Sequence, residues 1–254
     1  MSSQWFRKRP SWRSLTAFLA SLCLVLALAI PRIPAVAQIT NATIVEILDG
    51  DEVFIEEAKA TIDQIANFGE DIHTEDARAG IVFLEDLAVG RLAKDSVVTV
   101  GQCVEVVEGQ LIASGPVNGC LSGFEADVSG TIYVMDADDD STFKVLEGAI
   151  DVKPPSGDKI EVGQLREVSV EDDELEVKRI DFEDLVRILS GAFFNGFEVS
   201  LPNEERLIAI CNEERIRIIE EADEAGPVVA ARLPYCPTEL GVRFDPGGGI
   251  NLPF

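Results

Sequence analysis

The sequence predicts a mainly β protein that ends in a smaller helical or α+β unit, and three observations predict it. From Ala42 to about Val162, short runs rich in β-branched and aromatic residues follow one another. Glycines punctuate them at roughly ten-residue intervals, as expected of many short strands joined by turns. After about Gly163 that rhythm gives way to two stretches with helical spacing.

Ahead of the β region, residues 1–37 read as a cleavable secretory signal. Arg7, Lys8, Arg9 and Arg13 form a positive n-region, and Leu15 to Ile30 is an uncharged apolar stretch of 16 residues. As a helix this stretch spans about 24 Å, short of the ~30 Å hydrocarbon core. Pro31 and Pro34 stop the helix, and the small-x-small triplet Ala35-Val36-Ala37 predicts cleavage before Gln38. The rival reading is an uncleaved anchor. Cys23 follows Leu22, where a lipoprotein signal wants a small residue, and Lys8 splits Arg7 from Arg9, against a twin-arginine signal. The expectation is an exported protein, periplasmic or extracellular, with no stable membrane anchor after processing.

The β runs include ATIVEIL from Ala42, DEVFIEE from Asp51, GIVFLEDLAVGRL from Gly80, SVVTV from Ser96 and CVEVVEG from Cys103. They continue with GQLIASG from Gly109, GTIYVMD from Gly130, TFKVLEGAIDV from Thr142 and KIEV from Lys159. Val104/Val106 and Ile132/Val134 alternate with other residues, as in half-buried strands, whereas other runs are apolar on both faces and suit strands buried between two layers. Asp136 to Ser141 is polar between two strong strands and reads as a hairpin loop. Residues 168–180, acidic over Glu171 to Glu176, read as a linker. Asp181 to Leu189 predicts an amphipathic helix with Asp181 as N-cap, Phe182, Leu185, Val186 and Leu189 on one face, and Gly191 at its end. Asn203 to about Ala222 predicts a second helix, with Leu207, Ile208, Cys211, Ile218 and Ile219 available for burial. Four prolines from Pro227 to Pro246 and Gly247-Gly248-Gly249 make the tail irregular.

Loss of residues 1–37 leaves 16 of the 21 Lys and Arg against all 46 Asp and Glu, a formal charge of −30. Such a surface repels phosphate backbones and anionic lipid, which excludes nucleic acid as a natural partner and favours cations or basic proteins. Hydrophobic residues make up 46% of the chain, enough for a core, so the charge belongs to a folded surface rather than to a disordered chain.

Cys23 leaves with the signal, and Cys103, Cys120, Cys211 and Cys236 remain. An even number in an exported chain predicts two disulfides, for which three pairings exist. Nearest-neighbour pairing keeps each bridge inside one apparent structural unit. Closing the 17-residue separation from Cys103 to Cys120 is worth about 3 kcal/mol on the chain-entropy account. Zinc is the alternative, but neither pair has close ligand spacing and His73 is the one histidine.

The segment from Ala42 to about Glu167 resembles the FecR domain, the extracytoplasmic module of bacterial iron-dicitrate-type transmembrane signalling proteins. The resemblance opens with ATIVEILDGDEVFI and runs through NFGEDIHTEDARAGIVFLEDLAVGRLAKDSVVTV. It is clearest in GTIYVMDADDDSTFKVLEGAIDV followed by EVGQ, where that family shows a Gly-Thr strand (here Gly130-Thr131), a hairpin and a V-x-EG-x-V strand. GQLIASGPVNGC is similar to disulfide-containing, exported, stand-alone members. The resemblance implies an all-β domain over residues 40–167, a β-solenoid or a two-layer β-roll, with no known enzymatic activity. Signalling members carry a cytoplasmic helical region that engages a sigma factor. Only about 14 residues precede the apolar stretch, so this chain is expected to lack that role. The unit at 181–254 has no counterpart in the resemblance.

Three features invite chemistry. His73, in GEDIHTED, would have to serve any histidine-based dyad or triad, but it sits in a β run and no serine lies in a G-x-S-x-G context; a solvated or locally bonded ring is the expectation. Asp136, Asp138 and Asp140, with Asp139 between, offer alternating oxygens that suit calcium. A Glu stands twelfth from Asp136, at Glu147, but Ser141 replaces the usual glycine and the setting is strand rather than helix, so a solvated hairpin is the default. Phe193, Phe194 and Phe197 suggest a recognition patch or, more often for such residues, core packing. The functional expectation is a non-enzymatic FecR-like exported protein with a binding, sensing or envelope-organising role, an unidentified protein or envelope partner and no cofactor. The alternatives are a regulatory component of transmembrane, iron-uptake-type signalling, and a calcium-binding protein or carboxylate-dependent secreted hydrolase.

Overall fold

The computed structural model describes residues 39–84, 87–138, 141–171, 174–223 and 233–242. The chain crosses repeatedly between two sheets. Strand β1 (Asn41–Leu48) lies in sheet I, β2 (Val53–Ile55) and β3 (Ala58–Lys59) in sheet II, β4 (Ile65–Asn67) in sheet I and β5 (Asp71–Thr74) in sheet II. Strands β6 (Arg78–Leu84) and β7 (Ala88–Leu92) return to sheet I, and β8 (Ser96–Thr99) and β9 (Val104–Glu108) to sheet II. Then come β10 (Gln110–Gly115) in sheet I, β11 (Gly119–Leu121) and β12 (Phe124–Val128) in sheet II, and β13 (Thr131–Asp136) and β14 (Thr142–Glu147) in sheet I. The hairpin of β15 (Ala149–Lys153) and β16 (Ile160–Gly163) closes sheet II, and that of β17 (Arg166–Glu171) and β18 (Glu174–Arg179) closes sheet I. Among the described residues each sheet has nine strands, and neither closes on itself: sheet I runs from β18 to β4 and sheet II from β16 to β3.

The inward faces of both sheets share one core. Ile44, Ile81, Leu111, Tyr133 and Phe143 from sheet I meet Val53, Ile72, Val98, Val104, Phe124 and Ile150 from sheet II. Each such side chain contributes roughly 1.5–3 kcal/mol relative to an exposed one. Tyr133 buries its hydroxyl by donating to the Val117 carbonyl at 2.7 Å, and burial pushes its pKa up. The crossings need tight backbone. At Gly109 (φ +71°), between β9 and β10, an added Cβ would stand 2.5 Å from the Asp95 carbonyl, so the residue must be glycine. At Gly148 the chain turns from β14 to β15, which divides the single run TFKVLEGAIDV between the two sheets. GIVFLEDLAVGRL likewise folds into the β6–β7 hairpin.

Residues 168–180 are not a linker. They build most of the β17–β18 hairpin, paired in register from Arg166↔Arg179 to Glu171↔Glu174. The cause is period-two apolar spacing: Val168 is buried in the core, and Val170, Leu175 and Val177 pack against it, with the charged residues between them. The β region therefore runs on to Arg179.

After two residues the chain enters helix α1 (Phe182–Leu189). Asp181 caps it, its carboxylate accepting from the Glu183 amide at 2.8 Å. A 3-10 turn at Glu204–Arg206 leads into helix α2 (Leu207–Asp223). Leu207, Ile210 and Cys211 of α2 are buried, whereas Ile208, Ile218 and Ile219 are half-exposed. The two helices and the loop between them lie on the outer face of sheet I. Val89, Ile112, Ile132, Val134 and Leu146 of that face form a second core with Phe182, Leu185, Leu189, Phe193, Phe194, Leu201 and Leu207. Gln38–Phe254 forms one compact unit, so the helical part is a cover on the β domain.

Candidate functional site

The outer faces of the two sheets differ in what they bury. On sheet I two arginines stand among apolar strand residues. Arg91 of β7 is 2% exposed; its guanidinium donates to the Phe193 carbonyl at 2.8 Å, the Val199 carbonyl at 2.7 Å and Glu204 Oε2 at 3.0 Å. Burial pulls its pKa below the ordinary guanidinium value, against the opposing charge and hydrogen bond of Glu204. Arg78 of β6 binds Asp49 at 2.5 and 3.1 Å, and donates to the carbonyls of Ala192 and Asn195. The hydrogen bond from Arg78 holds the Asp49 carboxyl below its usual range, outweighing burial. Both guanidinium carbons lie over the Phe197 ring, at 5.2 and 4.8 Å from its centroid. Glu46 Oε1 accepts from the Glu198 amide at 2.5 Å and the Val199 amide at 3.2 Å. Phe193 and Phe194 are thus buried in the second core, and Phe197 is half-buried beneath the arginines.

Among the described residues, the outer face of sheet II is left to solvent. Across β12, β15 and β16, Asp127 stands opposite Asp151 and Asp151 opposite Glu161, three acids side by side. Beside them Glu105 and Glu125 flank Cys120 across β9, β11 and β12. Like charges directly opposite in a sheet are destabilising. Two cations relieve them: Lys153 stands opposite Glu125, and Lys159 Nζ reaches Asp151 Oδ2 at 2.6 Å, a hydrogen bond that, with the neighbouring acids, pushes the Lys159 pKa up. Farther along the same face Val107 is 58% exposed, and the rings of Phe54 and His73 stack at 4.7 Å.

Cys103 and Cys120 form a disulfide with Cα atoms 5.6 Å apart, and Cys211 and Cys236 a second at 5.9 Å. The first joins the residue just before β9 to β11, where parallel pairing occurs among otherwise antiparallel described strands. That ladder pairs Gly119 with Val104 and Cys120 with Glu105, so the covalent link holds a contact that hydrogen bonds alone hold weakly. The second bridge ties residues 233–242 to α2, aided by the Arg215 guanidinium, which donates to the Pro234 carbonyl at 3.1 Å and covers the Tyr235 ring at 4.3 Å. Thr131, beginning β13, donates to the Ala149 carbonyl of sheet II at 2.8 Å. Asp136 is buried and accepts from the Gln110 amide side chain at 2.7 Å, while Asp138 accepts from the Gly109 amide at 2.9 Å. Both carboxylates therefore pin the hairpin to the β9–β10 crossing. Asp139 and Asp140, and the cleavage residues Ala35, Ala37 and Gln38, lie outside the described residues. Among the described residues no three His, Cys, Asp or Glu gather to hold a metal, and no helix is long and apolar enough to cross a membrane.

Sequence reasoning missed Arg78, Arg91 and Glu46. The available signal was a cation at alternate positions of strands otherwise apolar, in DARAGIV and AVGRLA, which demands a buried partner. Asp49 stands only 29 residues before Arg78, but the backbone partners of both arginines were not readable, because they lie more than a hundred residues away on the loop after α1.

No protein-family profile matches the chain, and no curated protein matches it. Part of the chain is weakly similar to two crystal structures from Parabacteroides distasonis, each described as a "putative anti-sigma factor". One, at 1.65 Å resolution, is 18% identical over 49% of this chain and 67% of its own, with a TM-score of 0.41. The other, at 2.50 Å, is 15% identical over 58% of this chain and 90% of its own, with a TM-score of 0.38. At those values the likeness decides nothing about what this chain does.

Proposed function

We propose that this is a non-enzymatic, exported FecR-like protein of the cell envelope, a two-layer β-roll whose open sheet II face receives a basic protein partner. One observation carries the reading: sheet I is covered by the chain's own C-terminal unit, while sheet II keeps Asp127, Asp151 and Glu161 adjacent on a face that no other described residues cover. Juxtaposed acids cost stability in the free protein and gain it back against a cationic surface. The residues nearest to chemistry serve the structure instead: His73 stacks on Phe54, and Asp136 and Asp138 brace a turn. Two disulfides support an oxidising compartment.

The test is capture from an envelope fraction by residues 38–254, beside the variant Asp127→Lys, Asp151→Lys, Glu161→Lys. The expected result is a protein retained by the wild-type chain at low salt, released at 0.5 M salt where screening falls to roughly 4 Å, and not retained by the variant. Equal retention by both chains would sink the reading. A regulatory part in transmembrane signalling is the second reading; it is favoured if the captured protein is an integral membrane component.

A further inference from the structure

The outer face of sheet I recognises main chain. Residues 192–202 are held by seven hydrogen bonds from side chains of β1, β6, β7 and β10 to backbone groups. Arg78 takes the carbonyls of Ala192 and Asn195, Arg91 those of Phe193 and Val199, Glu46 the amides of Glu198 and Val199, and Ser114 the carbonyl of Pro202. The side-chain anchor is Phe197, under both guanidinium groups. Capture of main-chain groups, with a side chain seated in a pocket, is also a means by which proteins bind peptide segments in trans. The fit to the chain's own segment is also incomplete: Arg91 Nε and Glu46 Oε2 are buried without a hydrogen-bond partner among the described residues. Both atoms belong to side chains that otherwise grip the segment, and leaving a buried donor and a buried acceptor unused is costly. A segment offering one more carbonyl and one more donor would use both.

The geometry points to a peptide-docking groove on β1, β6, β7 and β10 that is filled in cis by residues 192–202, with the C-terminal unit acting as a built-in competitor for a partner's aromatic-anchored segment. This rests on sheet I alone and is independent of the acidic face. The groove reads mostly backbone, so the partner's segment needs an aromatic side chain at the Phe197 position and little other sequence identity. The partner binds only when residues 192–202 leave.

The probe is a fluorescent peptide with the sequence of residues 190–204, measured by anisotropy against residues 38–254. Phe197→Ala weakens the occupant in cis; that variant is expected to bind the peptide saturably and at least tenfold more tightly than the wild-type chain. Adding Arg91→Met to it should abolish binding, and a peptide lacking the aromatic at the Phe197 position should bind at least tenfold more weakly. Equal binding by wild-type and Phe197→Ala chains, or binding that survives Arg91→Met, overturns the proposal. Hydrogen exchange on the unmodified chain provides a check that requires no variant. The amides of Glu198 and Val199 should exchange at least tenfold faster than those of β6 and β7. Exchange at one common rate would mean that the segment leaves only on global unfolding, and would overturn the proposal as well.

Discussion

The outer faces of the two sheets belong to one β framework and follow opposite electrostatic rules. On sheet I charge is paired, with at least one partner of each pair largely buried: Arg78 with Asp49, Arg91 with Glu204, Lys144 of β14 with Asp184 of α1 at 2.9 Å, and the exposed Arg179 of β18 with the buried Glu214 of α2 at 3.0 Å. On sheet II charge is exposed and largely like-signed. The first arrangement fixes a cover in one register, because each buried ion accepts few alternatives. The second leaves a surface to be neutralised from outside. The difference lies in the outward residues of the strands: Val89, Ile112, Ile132, Val134 and Leu146 on sheet I bury against a cover, whereas Asp127, Asp151 and Glu161 on sheet II stay in solvent.

The largest effect should come from forcing the rule of one face onto the other. Ile112→Asp places a carboxylate in the second core beneath α1 and α2. It is expected to cost about 4 kcal/mol or to release the C-terminal unit altogether. Val107→Asp, on the open face, should change stability by no more than about 0.5 kcal/mol. Urea titrations of both variants measure the contrast, and equal costs would show that sheet II is covered in solution. Next in size is Arg91→Ala. It strands the largely buried Glu204 carboxylate and frees two carbonyls, for an expected loss of about 3 kcal/mol, whereas Arg91→Met should lose less because the methionine refills the apolar space. If alanine and methionine cost the same, the arginine acts by volume and not by charge.

Acid should separate the two regions. Of the carboxyls that tie the cover to sheet I, that of Glu214 is held low by the hydrogen bond from Arg217 and the charge of Arg179, and that of Asp184 is held low by Lys144 and Arg187 against burial. A carboxyl whose pKa is lower folded than unfolded adds stability above its unfolded value, and that contribution vanishes as pH falls through the folded value. The unfolded values are 3.8 for Asp and 4.5 for Glu. The attachment of the cover should therefore be at full strength near pH 6 and weaken below about pH 4. Thermal melts followed by near-ultraviolet signal and by hydrogen exchange at α1 check this. The two-sheet core, held by apolar contacts and by the Cys103–Cys120 bridge, should persist to lower pH than the cover.

Much of this architecture was legible. Asp181 announced helix α1 because an N-cap followed by apolar residues at helical spacing is a local signal. The strands were legible for the same reason. The hairpin of residues 168–180 was misread because acidic residues drew attention from Val168, Val170, Leu175 and Val177, whose period-two spacing decides the structure. The division of strands between sheets was not readable, since Gly148 as a turn within one sheet and Gly148 as a crossing look alike in sequence. The acid ladder was hidden for a related reason. Asp127, Asp151 and Glu161 come from three strands, and only register makes them neighbours among 46 acids.

That ladder yields the smallest effect and the most discriminating one. If Asp127, Asp151 and Glu161 repel one another, Asp127→Asn should stabilise the free protein by about 0.3 kcal/mol, and the gain should fade in 0.5 M salt. The asparagine keeps an oxygen for the Asn118 side-chain amide, now 3.4 Å from Asp127 Oδ1, so little else is lost. A stabilising change that weakens partner binding is the signature of residues kept for function at the expense of the fold. Paired urea titrations at low and high salt resolve it. A salt-independent loss of stability would mean that Asp127 serves its Asn118 contact and that the open face is acidic by composition alone.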